Sequence, residues 1–209
     1  MEQNMGKLLN AEFGIYEGVG EYEFPQIEPV HEMPTIDRWI GFNYVKTTHK
    51  KKLKNTAVHF FIDDYQFERV WNQVNIYTPL LKKFSCVLSP DFSMYTDFPK
   101  AIQIYNKYRN HWLTAYWQEQ GMIVIPTILW STENHWDWQF EGYPKNSIVA
   151  VSNVGCMHDK ESREMFNAGF EEMKRRLEPE LILFYCHKFD NYDGPIRYIR
   201  YLQGHQLKV

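Results

Sequence analysis

Residues 147–186 read SIVAVSNVGCMHDKESREMFNAGFEEMKRRLEPELILFYC. The stretch opens on a short apolar run, 147–152, and closes on another, 181–186. Between them Met165, Phe166, Gly169, Phe170, Met173 and Leu177 recur at helical spacing, while Glu161, Arg163, Glu171, Lys174 and Arg175 fall largely on the opposite face. Pro179 closes the helix. Neither flanking run alternates apolar with polar residues, as expected of strands covered on both faces. Strand, helix and strand in that order form a crossover, the connection that parallel strands require.

The same unit recurs upstream. The run AVHFFI at 57–62 precedes a helical pattern at 65–83 carrying Phe67, Val70, Trp71, Leu80 and Leu81; Pro79 is expected to split it into a helix and a shorter piece. SCVLS at 85–89 is a further strand. A long helix follows, capped by Thr96 or Asp97 with Pro99 in its first turn, striped by Ile102, Tyr105, Trp112 and Tyr116, and stopped at Gly121. MIVIPTILW at 122–130 is a strand with Pro126 as a local irregularity. With a short strand near 41–45, inside RWIGFNYV (38–45), six strands are expected: 41–45, 57–62, 85–89, 122–130, 147–152 and 181–186. From the second strand on, their starts lie about 25 to 40 residues apart, a crossover-sized interval. The fold class is α/β with mainly parallel strands and crossover helices. Six strands are too few for an eight-strand barrel. An incomplete or six-strand (βα) barrel fits best, and an open doubly wound sheet is the alternative.

Residues 1–36 hold Gly14, Gly18, Gly20, Pro25, Pro29 and Pro34 among unperiodic hydrophobics and read as an extended arm packed on a single domain, 37–209. The run KTTHKKKLKN (46–55) carries Lys46, Lys50, Lys51, Lys52 and Lys54. It reads as a solvated loop; a phosphate-contacting loop is the weaker reading, because no aromatics interleave to stack bases.

The totals fit this picture. The chain has 209 residues and a formal net charge of −3, so its global charge gives no support for nucleic-acid binding. Three cysteines, Cys86, Cys156 and Cys186, argue against a disulfide scaffold and for a reducing compartment. The start lacks the layout of a signal peptide, and no window nears the roughly 18 apolar residues of a membrane span. A soluble, cytoplasmic protein is expected. Aromatics make up 17% of the chain, more than its core needs, so some are expected at a cleft or contact surface.

Active sites of parallel α/β proteins collect where strands end. Asp63 and Asp64 end the second strand; Asp91 and Ser93 follow the third; Trp130, Ser131 and Glu133 the fourth; Asn153 the fifth; His187 and Asp190 the sixth. Successive strand residues point to opposite sides, so at most one of Asp63 and Asp64 faces the mouth. We expect Asp63 inward and Asp64 as the cap of the following helix; the alternative is that both are caps. Asp63 and Asp91 are the candidate catalytic pair, able to share a proton or to hold a divalent cation such as Mg²⁺ with help from Glu133 or Asn153. Ser93, Trp130, Ser131, Glu133, Asn153 and His187 are the candidate ligand contacts. No HExxH or phosphate-binding loop occurs. Cys156, His158, Cys186 and His187 offer a zinc-type donor set at poor spacing, or a Cys–His nucleophile pair; two buried thiols and two surface histidines are the preferred reading. His59 and His111 read as core or supporting groups. WSTENHWDWQFEGYP (130–144) reads either as an aromatic lid over the mouth, with Trp136 and Trp138 able to meet a partner, or as a loop packed on the rim.

Four blocks, FIDDYQFERVW, CVLSPDFSMYTDFP, AYWQEQGMIVIPT and AVSNVG, resemble the domain-of-unknown-function family 4417, found in phages and mobile elements of Gram-positive bacteria. The resemblance spans about Phe42 to Tyr185. It implies a small cytoplasmic accessory protein of a mobile element and brings no activity with it. Its blocks coincide with strand ends at Asp63, Asp64, Ser89, Asp91, Tyr95 and Ser152. The lysine run and the Cys/His set lie outside the family pattern.

Two functions remain open. One is an enzyme or ligand site acting on a phosphorylated or nucleotide-like ligand. The other is a non-enzymatic protein that binds a host or phage macromolecule, in counter-defence or as a replication accessory.

Overall fold

The computed structural model describes residues 10–186 and 192–200. Strands β1 (Gly18–Val19) and β2 (Phe24–Pro25) form a small antiparallel hairpin. Strands β3 (Arg38–Gly41), β4 (Thr56–His59), β5 (Cys86–Leu88) and β6 (Val124–Ile125) form one sheet in that order. Strands β7 (Ile148–Ser152), β8 (Leu181–Cys186) and β9 (Ile196–Arg200) form a second. Every pairing within these two sheets is parallel. A parallel bridge from Thr127 to Ala150 joins them, with Ile128 N donating to Ala150 O at 2.9 Å and Ala150 N to Pro126 O at 2.7 Å.

The connections are helical. Helices α1 (Asp64–Phe67), α2 (Arg69–Asn72) and α3 (Val74–Leu81) link β4 to β5, and α4 (Lys100–Glu119) links β5 to β6. The short α5 (Trp136–Gln139) precedes β7, and α6 (Lys160–Leu177) links β7 to β8. The expected parallel α/β class holds. The details differ at several points. The first parallel strand is Arg38–Gly41, because residues 42–44 turn into a 3-10 helix. The helical segment after β4 breaks at Glu68 and Gln73 rather than at Pro79, which lies inside α3. Pro99, not Thr96 or Asp97, occupies the cap position of α4. The 122–130 run is a regular strand only at Val124–Ile125. Strand β9 has no counterpart among the six expected strands; its alternating IRYIR differs from the continuous apolar runs that marked the others.

Alternate residues of the parallel strands face two different cores. Val58, Phe60, Val87 and Val124 pack against α1–α4, and Val149, Val151, Ile182 and Phe184 against α6. The opposite faces of all seven parallel strands contribute to one further cluster, which includes Trp39, Ala57, Leu88, Ile125, Ala150, Leu183 and Ile199. Burial on both faces explains why the sequence does not alternate. The sheets also curl. In a flat sheet four strand spacings of about 4.8 Å would hold β4 and β8 roughly 19 Å apart. The His59 and Tyr185 rings nevertheless lie 4.7 Å apart, centroid to centroid, and Phe61 and Tyr185 4.9 Å.

Helix α4 is buried along most of its length, so an amphipathic stripe describes it poorly: Trp112 and Tyr116 are buried as expected, but Ile102 is exposed. Its buried polar residues each have a task. His111 Nδ1 donates to Pro25 O at 2.9 Å and its Nε2 faces Lys107 Nζ at 2.6 Å, which fixes β2 against the helix. Lys107 also donates to Glu141 O at 2.9 Å and sits 4.0 Å from the Tyr143 ring; its burial pushes the ammonium well below the usual lysine range. Phe24 and Ile27 are fully buried beneath this contact.

The lysine run forms a 3-10 helix, Lys50–Asn55, with its lysines exposed. It leads into the amino end of β4, the end opposite the strand tips discussed next.

Candidate functional site

A cleft of about 790 Å³ opens at the carboxyl ends of the parallel strands. Its lining includes Trp39 and Gly41 from β3, His59 and Phe61 from the end of β4, Asp91 after β5, Trp130 after β6, Ser152 from β7 and Tyr185 from β8. Asp63, Ser93 and Ser131 also line it, as expected, and so does Asp64, which was expected as a helix cap. Glu133 and Asn153 do not. Glu133 is exposed on the 3-10 turn Glu133–His135, and Asn153 is 3% exposed, one residue past Ser152. His187 and Asp190 lie outside the described residues.

The two acids that follow β4 depart from their expected roles. Asp63 is exposed at the cap position of α1 and makes no cap bond; its Oδ2 accepts from Gln66 Nε2 at 3.2 Å. Asp64 reaches across the cleft to the β5–α4 loop, where its two oxygens accept from Ser93 Oγ at 2.8 Å and Ser93 N at 3.0 Å. The backbone turns at residues 61–63, so alternation along β4 no longer predicts which acid points inward. Asp64 is therefore the partner of Asp91. Burial, and next the Asp64 charge, push the Asp91 carboxyl up to about 7. Ser93 Oγ donates its proton to Asp64, and the Ser131 hydroxyl is held between Gln103 Oε1 and Gln139 Nε2, each at 2.7 Å, so neither hydroxyl has a proton left to donate to a ligand.

The β5–α4 loop is held from below by a polar ladder on α4. Gln103 Nε2 donates to Phe98 O at 2.9 Å, Asn106 Nδ2 to Ser93 O at 2.7 Å, Asn110 Nδ2 to Pro90 O at 2.7 Å, and Thr114 Oγ1 to Ser89 Oγ at 2.7 Å. Arg109 stacks 3.8 Å from the Phe92 ring centroid and bonds Asn106 Oδ1 at 2.6 Å. These positioning residues were missed in the sequence, although polar residues at 103, 106, 110 and 114 keep helical spacing and could have marked a buried polar face. Asn110→Ala leaves the buried Pro90 carbonyl without its donor beside Asp91. We expect a loss of about 1–3 kcal/mol, read by urea unfolding, with Asn110→Ser losing less.

His59 was also undervalued. It is 4% exposed, lines the cleft, and its buried Nδ1 has no hydrogen-bond partner among the described residues. Burial pushes its imidazole down to about 3, so the ring is neutral at physiological pH.

The docking role expected of Trp136 and Trp138 needs correction. Trp138 is 5% exposed and packs on Tyr22 and Phe24, with ring centroids 5.7 and 6.2 Å away, so it is not a docking surface. Trp136 is half-buried and donates to Ser131 O at 3.2 Å. The 130–144 aromatics thus pack on the rim and on β1–β2 instead of forming a lid, apart from Trp130, which lines the cleft beside Phe166 at 5.2 Å. Burial and the Asp91 charge push the Cys156 thiol up to about 11, so it is no nucleophile at neutral pH. Its alkylation by iodoacetamide, followed by peptide mass spectrometry, is expected to stay slow at pH 7–8 and to rise only above about pH 10. Among the described residues no three His, Cys, Asp or Glu side chains are grouped to hold a metal ion, and the Cys186 and His187 side chains lie outside them. None of the described helices is long and apolar enough to cross a membrane.

The family model described as "Domain of unknown function (DUF4417)" matches residues 16–202. The chain is similar to the "Gene 1 protein" of Mycobacterium phage L5, 37% identical over 170 residues that make up 81% of this chain and 73% of the relative. It is also similar to the "Gene 1 protein" of Mycobacterium phage D29, 36% identical over 164 residues, 78% of this chain but only 60% of that relative. No solved structure matches.

Proposed function

The chain belongs to the family of the domain of unknown function DUF4417, which includes mycobacteriophage proteins, and from that premise we propose that its cleft is an active site for acid–base chemistry on a small molecule. One observation carries the reading: the Asp91 carboxyl, deep in the cleft beside Asp64, is held near 7. A carboxylate kept for stability gains a cation and is lowered. One raised toward working pH destabilises the fold and suits proton transfer. Asp91 is the proton donor and acceptor, and Asp64 is the charge that keeps its proton on. Should a divalent cation such as Mg²⁺ join the site, these two carboxylates would hold it, with water or substrate supplying the remaining ligands.

The same reading takes the two parallel sheets as one incomplete (βα) barrel, supported by the sequential strand order, the bridge at Thr127 and the contact of β4 with β8. Residues 1–36 belong with residues 37–209 as one unit, a reading supported by the buried Phe24 and Ile27. The protein acts in the cytoplasm of the bacterial host as an accessory of a phage or mobile element.

A thermal-shift screen of a metabolite library tests the site. Compounds that stabilise the wild type are expected to lose their effect on Asp64→Asn and Asp91→Asn, and at least one is expected to be turned over by the wild type alone. Hits that stabilise both variants as well as the wild type would move the site elsewhere.

A second reading, binding of a host or phage macromolecule, is favoured by Tyr65 and Tyr95 on the rim, 79% and 59% exposed. Truncating both to alanine would then abolish partner binding and spare any turnover.

A further inference from the structure

Building on the cleft reading, we infer that the ligand is a planar nitrogen heterocycle with an exocyclic amino group, a nucleobase or a close analogue, gripped by its ring and not through phosphate. Three features of the cleft carry this. The first is aromatic surface in two places. His59, Phe61 and Tyr185 pack ring against ring on the floor, at 4.7 to 5.9 Å, and Trp130 lies against Phe166 on the α6 side. Stacking on such surfaces suits a flat ring of any base.

The second is the hydrogen-bonding pattern. Asp64 and Asp91 offer acceptors for an amino group, as acidic side chains do for the amino group of cytosine. A carboxyl that holds its proton near neutral pH can accept from that amino group and donate to the adjacent ring nitrogen, matching the –N=C–NH₂ edge shared by adenine and cytosine. His59 also lines the cleft, and its buried Nδ1 has no hydrogen-bond partner among the described residues; a buried polar atom left unpaired is unfavourable until something binds it.

The third is charge. The described lining carries Asp63, Asp64, Asp91 and Asp97 and not a single lysine or arginine. Among the described lining residues a phosphate would meet four acids, and only His158, which is already bonded to Asp159, could supply a counter-charge, so the recognition is placed on the base. This narrows the phosphorylated or nucleotide-like ligand expected from sequence. The cleft volume falls within the usual range for small-molecule sites, about 300–1,000 Å³.

Isothermal calorimetry with adenosine, cytidine, uridine and inorganic phosphate decides it. Adenosine or cytidine is expected to bind at least about tenfold more tightly than uridine, which lacks the amino edge, and phosphate is expected neither to bind nor to compete. His59→Phe, which keeps a packed ring but no nitrogen, is expected to weaken the better nucleoside at least about tenfold, with urea unfolding confirming an intact fold. Competition by phosphate, equal binding of uridine, or an unaltered His59→Phe would each overturn the inference. The cleft reading is judged separately. If no nucleoside binds but another compound loses its effect on Asp91→Asn, only the ligand class is wrong. If Asp91→Asn changes neither binding nor the pH dependence of stability, the cleft reading fails with it. Binding of a single-stranded oligonucleotide at least about tenfold more tightly than any nucleoside would place the base within a strand, and equal or weaker binding would identify the free nucleoside as the ligand.

Discussion

Replacing Asp91 with asparagine is expected to stabilise the protein above neutral pH and to leave it nearly unchanged at pH 4. The sign follows from where the proton sits. In the unfolded chain an aspartate titrates near 3.9. In the folded chain burial and the Asp64 charge hold Asp91 at about 7. Between those values the folded state binds more protons than the unfolded state, so stability falls as pH rises from about 4 to about 7. Above that window the fold carries an ionised carboxylate against a like charge. The deficit is on the order of 2–4 kcal/mol, toward the lower figure because part of Asp91 still reaches solvent. Asparagine has no proton to lose and removes the slope. Urea unfolding at pH 4, 6 and 8 measures it. A variant less stable than the wild type at pH 8 would mean that the carboxylate supports the fold, and its catalytic assignment would fall.

The second large effect is steric. Gly169 lies buried in α6 with its Cα against the Trp130 indole, and a Cβ built there overlaps indole Nε1 and Cδ1. Gly→Ala in a helix normally gains up to about 1 kcal/mol. Here the overlap dominates, because Phe166 and Phe140 back Trp130 and relief requires the indole to swing toward the open cleft. Gly169→Val, with its branched side chain, is expected to lose about 3 kcal/mol or more and to push Trp130 out of the cleft wall. Pairing it with Trp130→Ala should recover part of that stability, since the two residues share one space. Ligand binding should not recover. Additive losses in the double variant would show that the two positions are not in contact.

Much of this architecture was legible in the sequence because burial on both faces leaves continuous apolar runs, and five of the six expected strands overlap observed ones. The remaining one, at 41–45, meets β3 only at Gly41. Strand β9 was not legible: Ile196, Tyr198 and Ile199 are interleaved with arginines and give no continuous run. Helix α4 was expected from its apolar stripe, but its buried Asn106, Asn110 and Thr114 gave no signal of their own in the sequence, because the loop that they hold comes from another part of the chain. At the site, sequence located the strand ends and Asp91. It expected Asp63 inward and Asp64 as the cap, because the chain leaves strand geometry after His59 and the period of two stops applying. His59 looked like a core residue because its neighbours are apolar. Its importance comes from Tyr185, more than 120 positions away, and no local pattern carries that.

Whether Asp91 holds a proton near neutral pH is measured directly by a ¹³C NMR titration of the aspartate carboxyls. One carboxyl resonance is expected to have a midpoint near 7, to disappear in Asp91→Asn and to move toward the ordinary aspartate range in Asp64→Asn. An Asp91 resonance titrating below about 5 would contradict it.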